Sequence, residues 1–227
     1  MSRRWASSTP AWTSRSSTEQ VPLVNRLLLA PAAKPLLFVL GLLPAAWLLG
    51  GAVQGTLGAN PAEALIRGTG DWTLRALCLA LAVTPLRQAS GWAALARFRR
   101  MLGLFVFFYA LLHASAYAWL DMGLELAPIV KDIAKRPFIL VGTAALLLLL
   151  PLAATSFNAA VRALGARRWQ ALHRAVYAIA GLALLHFFWM RSGKRDFAEV
   201  AVYAAVIGAL LGWRLWRRAR ALRTATS

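Results

Sequence analysis

Residues 98–121 read FRRMLGLFVFFYALLHASAYAWLD, in which an arginine pair is followed by an apolar run that ends at Asp121. A run of about 20 apolar residues is long enough to cross a bilayer as an α-helix. This run contains a histidine, His113. A histidine at membrane depth is costly to place, so such a residue usually marks a functional site. The stretch therefore predicts a membrane helix that carries a functional histidine.

The rest of the chain has the same membrane character. It has 227 residues, of which 59% are hydrophobic, and its mean hydropathy is +0.57. Soluble domains are usually about 45–50% apolar. We therefore predict an all-α integral membrane protein built as a six-transmembrane-helix bundle, with short interfacial segments at 60–67 and 121–136. The predicted spans are 35–53, 71–87, 100–120, 137–154, 172–190 and 197–214.

The basic residues indicate how these spans are oriented. The net charge is +18, but the cations are divided unequally between the two predicted faces. One face has 18 Lys and Arg against a single acid, Glu19, and the other has eight against seven acids. Cytoplasmic loops are enriched in Lys and Arg, so both termini are predicted to be cytoplasmic. This topology explains the charge, and we predict no nucleic-acid binding.

Outside the membrane domain, predicted at 35–216, little chain remains. Residues 1–34 are predicted to be a mobile cytoplasmic N-terminal extension, and residues 217–227 a short basic cytoplasmic tail. The chain has one cysteine, Cys78, in an apolar run, where we expect a small buried side chain. A single cysteine cannot form an internal disulfide or the CxxCH motif that attaches haem covalently. Any haem is therefore expected to be bound non-covalently.

All three histidines of the chain, His113, His173 and His186, lie in predicted spans. Spans three and five run in the same direction, so depths along them can be compared. His113 is 13 residues after Arg100, and His186 is 13 residues after His173. Thirteen residues correspond to about 20 Å of helix, which places His113 and His186 at one depth near the outer face. Two imidazoles that face each other across a bundle can ligate one six-coordinate haem iron.

His173 then lies near the cytoplasmic face, at the depth of Arg99 and Arg100. Three interpretations remain: it ligates a second haem, it helps to bind a flavin or quinone, or it is an interfacial histidine that faces lipid headgroups. On an ideal helix His173 and His186 would be about 140° apart. Either the helix is twisted or kinked, or the two histidines serve different sites.

Most arginines near the cytoplasmic ends of the predicted spans are explained by the preference of cytoplasmic loops for basic residues. Some of them could instead bind haem propionates or a flavin phosphate through charge-assisted hydrogen bonds. The candidates are Arg75, Arg99, Arg100 and Arg174. We predict no catalytic residue.

Four stretches of the chain together resemble a known family. They cover nearly all of the chain beyond its N-terminal extension. The family is that of the haem-binding membrane subunits of periplasmic protein-methionine-sulfoxide reductases (the MsrQ, or YedZ, family), within the ferric reductase-like transmembrane group that includes the NADPH oxidases. The stretches are LRALCLALAVTPLR (74–87), FRRMLGLFVFFYALLHASAYAWLD (98–121), KRPFILVGTAALLLLLPLAATS (135–156) and RRWQALHRAVYAIAGLALLHFFW (167–189).

This resemblance implies a multi-pass b-type cytochrome of the bacterial inner membrane, with haem b and FMN as cofactors. Electrons would come from the quinone pool or from a reduced flavin, and would pass to a periplasmic molybdopterin enzyme that reduces methionine sulfoxide. His113 and His186 match the outer haem ligands of the family, and His173 matches its inner histidine. Wider relatives have a second histidine on the third span, where this chain has Arg99 and Arg100. That difference leaves one or two haems as alternatives.

Within this superfamily the chain is expected to be an electron-transfer subunit rather than a catalytic one. No GxGxxG phosphate loop follows a predicted strand, so we expect the electron donor, a quinone or a cytosolic flavin reductase, to be a separate molecule. One alternative is a standalone membrane reductase of ferric chelates or oxygen that is served by a separate flavoprotein. Another is a transporter or scaffold that uses its histidines as proton relays.

Overall fold

The computed structural model describes residues 23–193 and 197–225, and these residues form α-helices joined by short turns. Most of the predicted N-terminal extension, with Glu19, lies outside the described residues, as do Lys194 and Arg195. A 3₁₀ turn, Ala93–Phe98, leads into the fourth helix, and a π-helical turn, Tyr117–Asp121, ends it. The helices are α1 Leu23–Leu29, α2 Ala33–Val53, α3 Pro61–Ser90, α4 Arg99–Ala116, α5 Leu126–Lys135, α6 Pro137–Ala154, α7 Asn158–His173, α8 Val176–Ser192 and α9 Ala198–Ala225.

Within the described residues, five segments are long and apolar enough to cross a membrane. Their outer surfaces carry large exposed apolar side chains, such as Trp47, Leu147 and Val202, which suit contact with lipid. The predicted span 137–154 coincides with α6, and the predicted span 35–53 corresponds to α2. The five segments are Ala33–Val53, Ala93–Asp121, Pro137–Ala154, Asn158–Ser192 and Ala198–Thr224.

The long helix α3 is the best-packed helix of the bundle, although it is not one of these five segments. Helices α3, α4, α6, α8 and α9 form a closed ring in which each contacts the next, and α2 packs outside α3 and α4. Leu74, Leu77 and Leu81 of α3 are almost fully buried. The neighbouring helices cover much of α3, so it needs fewer apolar residues than a lipid-facing helix.

The sequence prediction of two separate elements at 60–67 and 71–87 is wrong, because α3 is continuous from Pro61 to Ser90. The Asn60 side-chain oxygen accepts a hydrogen bond from the Glu63 N–H at 3.1 Å, and Pro61 occupies the first turn. Both features favour a helix start at this point. The helix ends at Ser90 and is capped by Gly91, whose φ of 73° is accessible to glycine without strain.

The predicted fifth span, 172–190, lies within the apolar segment Asn158–Ser192, but it is not one regular helix. α7 ends at His173 and α8 begins at Val176, with a tightened turn between them. The Ala175 N–H donates to the Leu172 carbonyl at 3.0 Å, an i to i−3 bond. His173 and His186 therefore lie on two different helices. At the other end, α9 continues through most of the predicted tail to Ala225.

A buried tyrosine joins α4 to α2 one turn before His113. The Tyr109 hydroxyl donates to the Gly41 carbonyl at 2.6 Å and accepts a bond from the Ala45 N–H at 3.3 Å. In a regular helix the N–H of residue 45 faces the carbonyl of residue 41, one turn earlier. The Tyr109 hydroxyl bonds both of these groups of α2. Pro44 lies in that turn. This contact sets the position of α4 along α2.

Candidate functional site

His113 and His186 line one large cavity inside the helix ring. The cavity has a volume of about 700 Å³, and α3, α4, α6 and α8 supply most of its walls. His113 projects from the last turn of α4, and His186 from the second half of α8. A cavity of this size is within the range of about 300–1,000 Å³ that is usual for cofactor sites.

The two imidazole rings are neighbours in this cavity. Their centroids are 6.0 Å apart, and their planes are inclined at 77°. Each ring is also tied to a backbone carbonyl of another helix. His113 Nδ1 is 2.8 Å from the Ile66 oxygen on α3, and His186 Nδ1 is 2.6 Å from the Phe138 oxygen on α6.

These bonds determine which nitrogen of each ring is free. A carbonyl oxygen can only accept a hydrogen bond, so the Nδ1 atom of each histidine carries the proton and donates. In a neutral imidazole the Nε2 atom then keeps its lone pair, as a metal ligand requires. Histidine ligands commonly donate their other N–H to a carbonyl in this way. Both rings are therefore prepared to ligate through Nε2.

The spacing of the rings matches that of two axial ligands on one metal. A histidine nitrogen binds a transition metal at about 2 Å, so ring centroids on opposite sides of the metal are about 6 Å apart. The observed separation of 6.0 Å agrees with this value. Two histidines supply two ligands, and a porphyrin supplies the other four. The pair thus fits a haem iron.

The cavity is charged at one end and apolar at the other. Its charged end lies where α3 and α6 begin, and its apolar end lies further along these two helices. The two arginines at the charged end can bind an anionic edge of a bound group, and the apolar end suits a hydrophobic body. The charged mouth is formed by Glu63, Arg67, Asp71, Asp121 and Arg136, and the apolar end by Leu77, Val106, Leu149 and Ile179.

Hydrogen bonds and ion pairs order this charged mouth. Arg136 Nε is 2.9 Å from Asp132 Oδ1, and the Tyr117 hydroxyl donates to Asp132 Oδ2 at 2.7 Å. Asp132 thereby links α5 to the start of α6 and to the π-helical turn. Arg67 pairs with Glu63 at 2.5 Å, one turn earlier on α3.

His173 lies apart from this cavity. Its ring is stacked on Trp169, with centroids 3.8 Å apart, and its Nδ1 is 3.1 Å from the Trp169 carbonyl oxygen. The Trp169 indole N–H donates to the Thr155 carbonyl at 2.9 Å, which anchors α7 to the end of α6. Within the described residues, His173 Nε2 is buried and has no hydrogen-bond partner.

The structure does not bring the predicted arginines to the cavity. The four candidates, Arg75, Arg99, Arg100 and Arg174, are exposed, and none of them lines it. Arg75 packs over the Trp72 ring, 4.8 Å from its centroid. The arginines that do line the cavity are Arg67 and Arg136, which sequence reasoning treated only as outer-face cations.

Two glycines of the site were also missed. An ideal Cβ on Gly70 would be 3.2 Å from the His113 ring, and one on Gly142 would be 2.8 Å from the His186 ring. Each glycine comes four residues after the carbonyl that holds that histidine. A search for glycines in the predicted spans would have found Gly142 but not Gly70, which lies between the predicted elements 60–67 and 71–87.

Comparison with known proteins identifies the family of this chain. Residues 69–184 match the family described as "Ferric reductase like transmembrane component". This match covers about half of the chain, includes His113 and His173, and ends just before His186. The molecule is therefore a multi-pass membrane protein of the ferric reductase-like class.

The curated relatives narrow this class. A protein from Polaromonas naphthalenivorans is 65% identical over 192 residues, which are 85% of this chain and 88% of the relative. A protein from Ralstonia nicotianae is 58% identical over 166 residues, which are 72% of this chain and 76% of the relative. A protein from Bordetella pertussis is 54% identical over 194 residues, which are 84% of this chain and 93% of the relative. Each is described as a "Protein-methionine-sulfoxide reductase heme-binding subunit MsrQ". The chain belongs to the MsrQ family. No solved structure matches it.

Proposed function

We propose that this chain is a membrane b-type cytochrome that holds one haem b between His113 and His186. The observation that carries the proposal is the pair itself: two rings 6.0 Å apart, each with its Nδ1 bonded to a carbonyl, in a cavity of about 700 Å³. The descriptions of the relatives as heme-binding subunits support it. When bound, haem would supply one-electron redox chemistry.

The chain's own residues control that chemistry. The Ile66 and Phe138 carbonyls hold the two ligands in one tautomer and raise the basicity of Nε2. Leu77, Leu149 and Ile179 exclude water from the apolar end of the cavity. A protein sets a haem potential through the residues that bind the iron, the hydrogen bonds that those residues make, and the burial of the site.

Arg67 and Arg136 are the residues we propose for the haem propionates, in place of Arg75, Arg100 and Arg174. Both line the charged mouth. Each already has a carboxylate partner, Glu63 or Asp132, which holds its side chain in place. A guanidinium has five N–H donors, so it can keep this partner and still bind a propionate.

We further propose that α3 crosses the membrane with the five apolar segments, which gives six spans and places both termini in the cytoplasm. The packing of α3 inside the helix ring supports its inclusion. The basic residues near the end of α9, including Arg217, Arg218 and Arg220, support a cytoplasmic C-terminus. In this orientation His113 and His186 lie toward the outer face of the bacterial inner membrane.

On the inner side we propose that electrons enter from the quinone pool or from a reduced flavin. FMN enters the proposal through the family resemblance, and His173 is the candidate residue near that face. Its ring is stacked on Trp169 and both residues are partly exposed, which suits contact with a planar cofactor. A second haem at His173 remains the alternative.

On the outer side we propose a periplasmic, molybdopterin-containing methionine-sulfoxide reductase as the electron acceptor. The name of the relatives supports this partner. The chain would then be the electron-transfer subunit of a complex that repairs oxidised envelope proteins, and the partner would contain the catalytic centre.

The proposal is tested first by a reduced-minus-oxidised absorption spectrum of the detergent-purified protein, with haem quantified per polypeptide. We expect a sharp b-type α-band and about one haem at the His113–His186 pair. The reduced protein is then mixed anaerobically with the purified reductase subunit and a methionine-sulfoxide protein. We expect haem reoxidation only when both are present.

Other outcomes would change the function. Fast reoxidation by ferric citrate or oxygen, with none by the reductase, would indicate the standalone reductase. Absence of haem from well-folded protein expressed with a haem supply would contradict the proposal and favour a transporter or scaffold.

A further inference from the structure

The two candidate haem ligands are held by the same local arrangement, which occurs once on α3 and once on α6. His113 bonds the carbonyl of Ile66, and Gly70 lies against its ring. His186 bonds the carbonyl of Phe138, and Gly142 lies against its ring. In both cases the glycine follows the carbonyl residue by four positions.

Helix geometry explains this spacing. In an α-helix the carbonyl of residue i accepts the N–H of residue i+4, so this oxygen lies beside residue i+4. Every Cα–Cβ bond leans toward the helix N-terminus, which brings the side chain of residue i+4 back over that carbonyl. Glycine has no Cβ, so the second lone pair of the oxygen stays open to a group from another helix.

The space at these two positions is small. A Cβ on Gly142 would be 2.8 Å from His186 Nδ1 and 2.9 Å from its Cε1. A Cβ on Gly70 would be 3.2 Å from the same two atoms of His113. An alanine at either position would push the imidazole away from its carbonyl, by more at residue 142 than at residue 70.

We propose that Gly70 and Gly142 are positioning residues for the two haem ligands. They do not touch the iron. They act through His113 and His186, by keeping the Ile66 and Phe138 carbonyls accessible and by setting the plane of each ring. This inference rests on the proposed function and deepens it, because it names residues that determine how the ligands are presented.

A displaced ring would weaken the Nδ1–H···O=C bond and lower the basicity of Nε2. It would also change the angle between the two imidazole planes, which is 77° in this structure. The g-anisotropy of a ferric low-spin haem depends on that angle. A loss of helix packing alone would not move this spectroscopic signature in a protein that still holds its haem.

The test uses the full chain purified with haem, as wild type and as the Gly70→Ala and Gly142→Ala variants. Gly103→Ala and Gly181→Ala are matched controls, because they lie on α4 and α8, the helices that carry the histidines. A Cβ at either control position would meet nothing within 4 Å. The measurements are haem per polypeptide, the ferric EPR spectrum and the midpoint potential.

We expect Gly142→Ala to lower haem affinity by about 10-fold, as loss of the hydrogen bond that orients a metal ligand commonly does. We also expect it to shift the EPR anisotropy and the potential, with smaller shifts in Gly70→Ala and wild-type values in both controls. If Gly142→Ala does not accumulate, Gly70→Ala provides the test. Wild-type EPR spectra and potentials in the glycine variants that hold haem would overturn the inference, whereas a wild-type protein without haem would contradict the proposed function instead.

Discussion

The imidazole rings of His113 and His186 lie 6.0 Å apart, with their planes inclined at 77°. They belong to α4 and α8, two helices that are far apart in the chain but share the walls of one cavity. Each ring donates its Nδ1–H to a backbone carbonyl, so both present Nε2 as the free nitrogen. This relationship leads to the first prediction.

Replacement of either proposed ligand, His113 or His186, should remove the proposed six-coordinate haem. We expect His113→Ala and His186→Ala to lose the low-spin b-type spectrum, because one nitrogen cannot replace two axial ligands. The measurement is haem per polypeptide together with the visible spectrum. His173→Ala is the control and should keep the low-spin signal of the outer pair. Wild-type haem content in either ligand variant would contradict the assignment.

The two arginines at the mouth should select for the propionates of haem. Apoprotein from haem-deficient cells is titrated with haemin and with its dimethyl ester, which has no free carboxylate. The double variant Arg67→Gln, Arg136→Gln should bind haemin about 10-fold more weakly than wild type, since charge-assisted hydrogen bonds are lost. Its affinity for the ester should hardly change.

Arg75→Gln is the control for this titration, because Arg75 packs on Trp72 and does not line the cavity. It should keep the wild-type preference for haemin. The same preference in the double variant would rule out a role of Arg67 and Arg136 in propionate binding.

Tyr109→Phe should destabilise the bundle without removing haem. The substitution removes the hydroxyl that bonds the Gly41 carbonyl and the Ala45 N–H, and it leaves both groups in a buried contact. We expect a loss of about 1–3 kcal/mol, measured as a lower midpoint of thermal unfolding in detergent. Tyr203→Phe, at a ring that packs edge-on against Phe187, should change the midpoint much less. Equal midpoints for the two variants would show that the bridge does not stabilise α2 against α4.

Gly165→Ala should strain the kink inside α7. Gly165 has φ of 70° and ψ of 156°, a conformation that is essentially restricted to glycine. A Cβ there would meet nothing within 4 Å, so the expected cost of about 1–3 kcal/mol comes from the backbone alone. Thermal unfolding is again the measurement, with the helical Gly181→Ala as the control. An unchanged midpoint would mean that α7 can straighten without cost.

Several features of the fold follow from local sequence. The apolar segments predicted at 35–53, 100–120 and 137–154 correspond closely to α2, to the α4 segment and to α6. Length and hydrophobicity decide these elements, and both can be read without knowing any neighbour. The equal depth of His113 and His186 followed in the same way from residue counts along two parallel helices.

Local sequence patterns gave wrong helix boundaries where packing against other helices determines them. Residues 60–67 were predicted to be an interfacial segment separate from the span 71–87, yet α3 is continuous through both. Glu63, Arg67 and Asp71 line the mouth of the cavity, and Arg67 pairs with Glu63 there, so these charges are tolerated within one long helix. Likewise, no local pattern marks the break between α7 and α8 that separates His173 from His186.

By itself the sequence determined that this is a helical membrane protein, and it identified the histidine pair, because hydrophobic length and helical spacing are properties of single segments. Only the tertiary structure decided which groups meet that pair. The Ile66 carbonyl lies 47 residues before His113, and the Phe138 carbonyl lies 48 residues before His186. Gly70, Gly142, Arg67 and Arg136 reach the site because of how each helix is rotated against its neighbours. That rotation depends on the side chains of every helix in the ring at once, so no single stretch of sequence encodes it.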